Sequence, residues 1–145
     1  MRTAEIATVL GLLLDLRPVS IVVGTSADPV SRANGARLAE AWTARDGFVL
    51  ATVAWPETAA SWLRQARRFA SPAPDAWVVT GTLAGWVGMG RQLVGTAWSP
   101  RRTVATAGPA ARSLVDTGLF DGLRGAHADG GSWEIAGSLL IHRTN

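Results

Sequence analysis

From Pro18 to about Val94 the chain repeats one pattern: a short apolar run, a brief polar loop, and a segment whose apolar residues recur every three or four positions. Val19-Ser20-Ile21-Val22-Val23 leads into Gly24-Thr25-Ser26-Ala27-Asp28 and then a helical pattern, and Asp75-Ala76-Trp77-Val78-Val79 leads into Thr80-Gly81-Thr82 and another. The pattern continues more loosely to the C-terminus. Alternation of this kind predicts an α/β fold with a mostly parallel sheet and helices on both faces. Ligands of such sheets gather at the C-terminal ends of the strands, where these loops fall.

The predicted elements follow in order. A first helix spans about Thr3 to Leu16, with Ile6, Val9, Leu10 and Leu13 on one face and Arg17-Pro18 ending it. The first strand, Val19 to Gly24, is apolar on both sides, as a central parallel strand is. Asp28 then caps a second helix with Pro29 at its first position, and that helix runs to about Arg45 with Leu38, Ala41 and Trp42 inward. Strand two is Phe48 to Ala54. Pro56-Glu57-Thr58 opens a third helix whose stripe is Ala59, Trp62, Leu63, Ala66, Phe69 and Ala70. Strand three is Asp75 to Val79. The fourth helix, Leu83 to Val94, carries Gly85, Gly88 and Gly90, so it frays or sits close against a neighbour. Strand four is Arg102 to Thr106, and a fifth helix starts at Gly108-Pro109 and ends near Gly118. Leu123 to Ala128 and Trp133 to His142 flank Asp129-Gly130-Gly131 as a hairpin.

Composition adds limits. The 145 residues suit one domain, and 48% hydrophobic with 17% charged residues is enough apolar material for a real core. All 14 basic side chains are Arg against 11 acids, so the net charge of +3 is small. No basic run exceeds two residues (Arg67-Arg68, Arg101-Arg102), which argues against a nucleic-acid partner. There is no Cys, which removes disulfides, thiolate nucleophiles and Cys-based metal sites. No stretch approaches the roughly 20 apolar residues of a membrane span. Glu5 and Asp15 interrupt the N-terminal apolar segment, which reads as a docked helix and not a secretion signal. A cytoplasmic location is therefore expected as the chain stands, or an extracytoplasmic one if it is a fragment of a secreted protein.

The candidate site consists of the strand–helix junctions: Gly24, Thr25, Ser26 and Asp28 after strand one, Thr80, Gly81 and Thr82 after strand three, and Ala107 and Gly108 after strand four. Backbone N–H groups at such junctions can hold an anion or carboxylate. Neither the dinucleotide glycine fingerprint nor the phosphate-loop lysine is present, so no cofactor is expected. No catalytic constellation is visible either. His127 and His142 lie in the tail, and the aspartates fall at helix ends and turns. The chain is expected not to be an enzyme. Trp42, Trp62 and Trp86 fit inner helix faces, whereas Trp55, Trp98 and Trp133 lie near element ends, from which a ring either joins the core or lines a pocket.

From about Arg17 to Ile135 the chain resembles the second lobe of type 1 periplasmic binding proteins, the group that includes the Leu/Ile/Val-type substrate-binding proteins of ABC transporters. The residues that carry the resemblance are Pro18 to Val23, Ala36-Arg37-Leu38-Ala39-Glu40-Ala41, Ser61 to Arg67, Thr103 to Gly108 and, most specifically, Pro74-Asp75-Ala76-Trp77-Val78-Val79-Thr80-Gly81-Thr82. The resemblance implies a single flavodoxin-like, Rossmann-like lobe over residues 1–145, a three-layer sandwich with strand order 2-1-3-4-5 and a C-terminal hairpin. It implies a non-enzymatic small-molecule binding or sensing module, with an amino acid or small carboxylate as ligand. A second lobe, or a second copy of the chain, would complete the cleft.

The chain departs from the family's amino-acid binders at three places. Ser26-Ala27-Asp28-Pro29 and Gly81-Thr82-Leu83 stand where aromatics are common, and Ala107-Gly108-Pro109 stands where many carry an acid for the ligand ammonium. These departures motivate the alternative, an interaction domain that has kept the lobe and lost its ligand.

Overall fold

β1 (Ser20–Ser26) is the axis of the molecule. Its β-branched run is buried on both faces, Ile21 and Val23 on one side and Val22 on the other. It pairs in parallel with β2 (Phe48–Trp55) and β3 (Ala76–Thr80). Beyond β3 come β4 (Thr103–Ala105) and β5 (Arg124–Ala126), both parallel, then β6 (Ser132–Ala136) and β7 (Leu139–Arg143), both antiparallel. The sheet has the order β2-β1-β3-β4-β5-β6-β7. These are features of the computed structural model, which describes residues 1–145.

The α/β reading therefore holds, and the first five strands have the expected order. The tail differs. One extended segment was expected from Trp133 to His142, but Gly137 (φ 60°) turns the chain between β6 and β7, so two strands extend the sheet beyond β5.

α1 (Thr3–Leu16) and α2 (Pro29–Thr43) cover one face, where Val9, Leu13, Leu38 and Trp42 pack on Ile21, Val23, Val78 and Val104. α3 (Leu63–Ala70) and α4 (Leu83–Leu93) cover the other, joined by the short α5 (Arg112–Asp116). That layer is aromatic. Trp86 is its hub, with ring centroids 5.7 Å from Trp55, 6.0 Å from Phe69, 5.7 Å from Trp98 and 5.3 Å from Phe120. Trp55, Trp98 and Trp133 are all core residues. The α4 glycines explain the close approach: a Cβ on Gly85 would press on Trp55, one on Gly88 on Trp62 and one on Gly90 on Phe120.

Three boundaries move. α3 begins at Leu63 and not at Pro56-Glu57-Thr58, because the 56–62 segment is used elsewhere: Pro56 O accepts the Trp62 Nε1–H bond (2.8 Å) and Glu57 turns to α4. α5 begins at Arg112 and not at Gly108. β1 runs to Ser26, two residues past its expected end, because Thr25 pairs with Thr80 on β3 and Ser26 with Trp55 on β2. No helix is long and apolar enough to cross a membrane.

Candidate functional site

A cavity of about 380 Å³ opens at the C-terminal ends of β1, β3 and β4. Thr80, Gly81 and Thr82 line it from β3, Thr106, Ala107 and Gly108 from β4, and Asp28, Ser31 and Asn34 from the start of α2. Glu5, at the start of α1, forms another wall. Six of the nine expected site residues thus share one cavity: Asp28, Thr80, Gly81, Thr82, Ala107 and Gly108.

The loops after β3 and β4 touch through their backbones. A Cβ on Gly108 would collide with Gly81 O, and Gly81 (φ +147°) has no room for a Cβ beside Ser26. Both glycines are therefore required for the close approach that shapes the cavity floor. Below it Thr106 Oγ1 donates to Thr80 Oγ1 at 3.1 Å, a buried hydroxyl pair that ties β4 to β3.

Gly24, Thr25 and Ser26 do not line this cavity. They belong to β1, and their alternation sends them to different places. Gly24 faces the aromatic layer, where any Cβ would collide with Trp55 and Phe69. Thr25 faces α2 at Gly35, its buried hydroxyl without a partner, and borders a separate recess with Arg32, Thr52, Ala54 and Arg68. Ser26 lies behind Thr82, whose N–H donates to Ser26 Oγ at 3.0 Å.

Two carboxyl groups of the cavity, Asp28 and Glu5, stand on backbone amides, and so does that of Glu57 next to Thr82. Asp28 Oδ1 accepts from Ser31 N–H at 2.9 Å and caps α2. That bond, with the Ser31 hydroxyl, holds the Asp28 carboxyl below its ordinary value of 3.8. Glu57 Oε2 accepts from Gly85 N–H at 3.1 Å, in the first turn of α4. Burial opposes ionisation of Glu57, yet the Ser26 and Thr82 hydroxyls and the Gly85 N–H outweigh it and hold the carboxyl below its ordinary 4.5. Glu5 Oε1 accepts from Ala107 N–H at 3.2 Å.

Sequence reasoning missed Glu5, Ser31, Asn34, Thr106 and Glu57. A signal for Glu5 was present. Glu5, Val9 and Leu13 fall at i, i+4 and i+8, so an acid stands within the apolar stripe of α1. The two histidines meet each other (Nε2···Nδ1 2.9 Å), and His127 directly precedes Ala128, which also lines the cavity.

No family model and no curated protein matches the sequence. Solved structures do match. A type 1 periplasmic binding protein from Bordetella pertussis Tohama I superposes with TM-score 0.70 at 16% identity, over 86% of this chain and 34% of that one. The leucine binding protein LivK from Thermotoga maritima MSB8 gives 0.67 at 22%, over 83% and 35%. A fatty acid ABC transporter substrate-binding protein from Thermomonospora curvata gives 0.62 at 14%, over 89% and 35%. The fold is that of one lobe of a type 1 periplasmic binding protein. The chain spans about a third of the length of the structures it matches. Proteins named for leucine and for fatty acid share this lobe, so the fold does not choose a ligand.

Proposed function

We propose that the chain is a non-enzymatic small-molecule-binding lobe, half of a two-sided cleft of the substrate-binding-protein kind. The observation that carries this reading is the cavity at the ends of β1, β3 and β4, where six residues singled out from the loops converge on the lobe's ligand edge. The ligand is a small molecule of amino-acid size, and the facing wall comes from a second lobe or a second copy of the chain. The matching proteins named for transport and periplasmic binding favour an extracytoplasmic setting. The interaction-domain alternative gains no support from the structural neighbours or from the cavity.

Amide spectra of the isotope-labelled chain, recorded against a panel of amino acids and small carboxylates, test the reading. Ligand binding should perturb amides of Thr80 to Thr82 and Thr106 to Gly108 before all others. A panel that leaves every one of them in place up to millimolar concentration overturns it.

A further inference from the structure

Four of the backbone amides that an incoming carboxylate or phosphate could use at this edge are already engaged. Ser31 N–H at the start of α2 holds Asp28, Gly85 N–H in the first turn of α4 holds Glu57, and Ala107 N–H after β4 holds Glu5. A fourth, Thr82 N–H, is given to Ser26 Oγ. An anion in the cavity would meet the carboxyl groups of Asp28 and Glu5, with that of Glu57 next to Thr82.

Glu5 supplies the decisive observation. It is only 6% exposed, lines the cavity, and its second oxygen has no hydrogen-bond partner in the protein. No cation pairs with it, because the ion pairs of the chain are Arg101–Asp121, Arg112–Asp116 and Arg143–Glu134, all elsewhere. Arg32 and Arg37 of α2 turn to the backbone oxygens of Ala27 and Met1, and the Met1 amine hydrogen-bonds Asn34 Oδ1 at 3.4 Å. A cation that reaches this carboxyl group gains a charge-assisted hydrogen bond that the protein itself does not supply. The acids are not clustered as a metal site requires. The Thr80–Thr106 hydroxyl pair nearby offers neutral oxygens, the acceptors an N–H-rich group needs.

We propose that this lobe takes an organic cation, a ligand presenting an ammonium or guanidinium group to Glu5, and that the same edge rejects carboxylates and phosphates. The proposal rests on the ligand-lobe reading and narrows it.

The test titrates the labelled chain with putrescine, a diamine, and separately with succinate, a dicarboxylate with the same number of carbons, at constant ionic strength. Putrescine should shift the Thr80 to Thr82 and Thr106 to Gly108 amides, and succinate should not. Glu5→Gln keeps an oxygen for Ala107 N–H and should weaken putrescine at least about tenfold. Asp28→Asn should weaken it less, and it decides the matter if Glu5→Gln does not fold. If succinate shifts these amides and putrescine does not, the cation proposal falls and the ligand lobe stands. If neither does, the cation proposal falls, and the panel of amino acids and small carboxylates decides the ligand lobe separately. Putrescine binding that ignores both substitutions places the cation elsewhere and also overturns the proposal.

Discussion

At the N-terminal ends of the strands, Asp75 accepts from Val19 N–H at 2.8 Å and Ser20 N–H at 3.1 Å, while Ser20 Oγ accepts from Asp75 N–H at 3.1 Å. Arg102 stands beside this knot, its Nε–H on Asp75 O and its terminal nitrogen on Leu16 O at 3.3 Å. At the opposite ends of the same strands Asp28, Glu57 and Glu5 also sit on amides, but no arginine helps to hold Asp28 or Glu57 ionised as Arg102 does Asp75, and Arg32 gives its Nε–H to Ala27 O. The local device is the same and the company differs. An acid with both amides and a cation completes the fold, whereas acids with amides alone leave a field that a ligand can answer.

The hardest test of this division is Gly24, which lies within β1 just short of the ligand edge. If it contacts ligand, Gly24→Val weakens binding and spares stability. Its packing under Trp55 and Phe69 predicts the reverse: a loss of about 3 kcal/mol, measured as a lowered urea midpoint, with ligand affinity of the folded fraction unchanged.

The two ends can then be set against each other directly. Asp75→Ala removes the acceptor for two amides and should cost about 1–2 kcal/mol, a charged hydrogen-bond contribution reduced for exposure. Glu5→Gln keeps an oxygen for Ala107 N–H and should leave the melting temperature close to that of the parent chain. If both variants are destabilised alike, the two ends are the same kind of structure and the division fails.

The smallest effect is with pH. Asp28, Glu57 and Asp75 are all held below their ordinary values, Asp75 by Ser20 N–H first and then Val19 N–H. A carboxyl depressed in the folded state contributes stability that is present above its unfolded value and lost as pH falls through the folded one. Unfolding midpoints should thus be level from neutrality down to the ordinary values of 4.5 for Glu and 3.8 for Asp, then decline. Asp75→Ala should flatten that decline, and an unchanged acid slope would show that the knot at residue 75 holds no ionised carboxyl.

Much of this architecture was legible from the residues. α1 matches its expected span, Thr3 to Leu16, because its apolar stripe and its Arg17-Pro18 stop agree. Asp28-Pro29 announced α2, and the run before Thr80 announced β3. The loops proved harder, for reasons that lie far away in sequence. Gly24-Thr25-Ser26 has turn composition, yet neighbouring strands on both sides extend far enough to keep it paired. Pro56-Glu57-Thr58 has the composition of a helix start, but Glu57 serves a helix that begins at Leu83. Glu5 finds its amide 102 residues downstream, a separation that no local pattern reports.

The aromatic layer has a spectroscopic consequence. Trp55, Trp77, Trp86, Trp98 and Trp133 lie buried on the α3/α4 side with Trp62 against them, and only Trp42 belongs to the α1/α2 side. Intrinsic fluorescence of this chain therefore reports on one half of its interior. Melting of that half will be bright in the signal, while an event beside Glu5 will be nearly dark unless it moves Trp42.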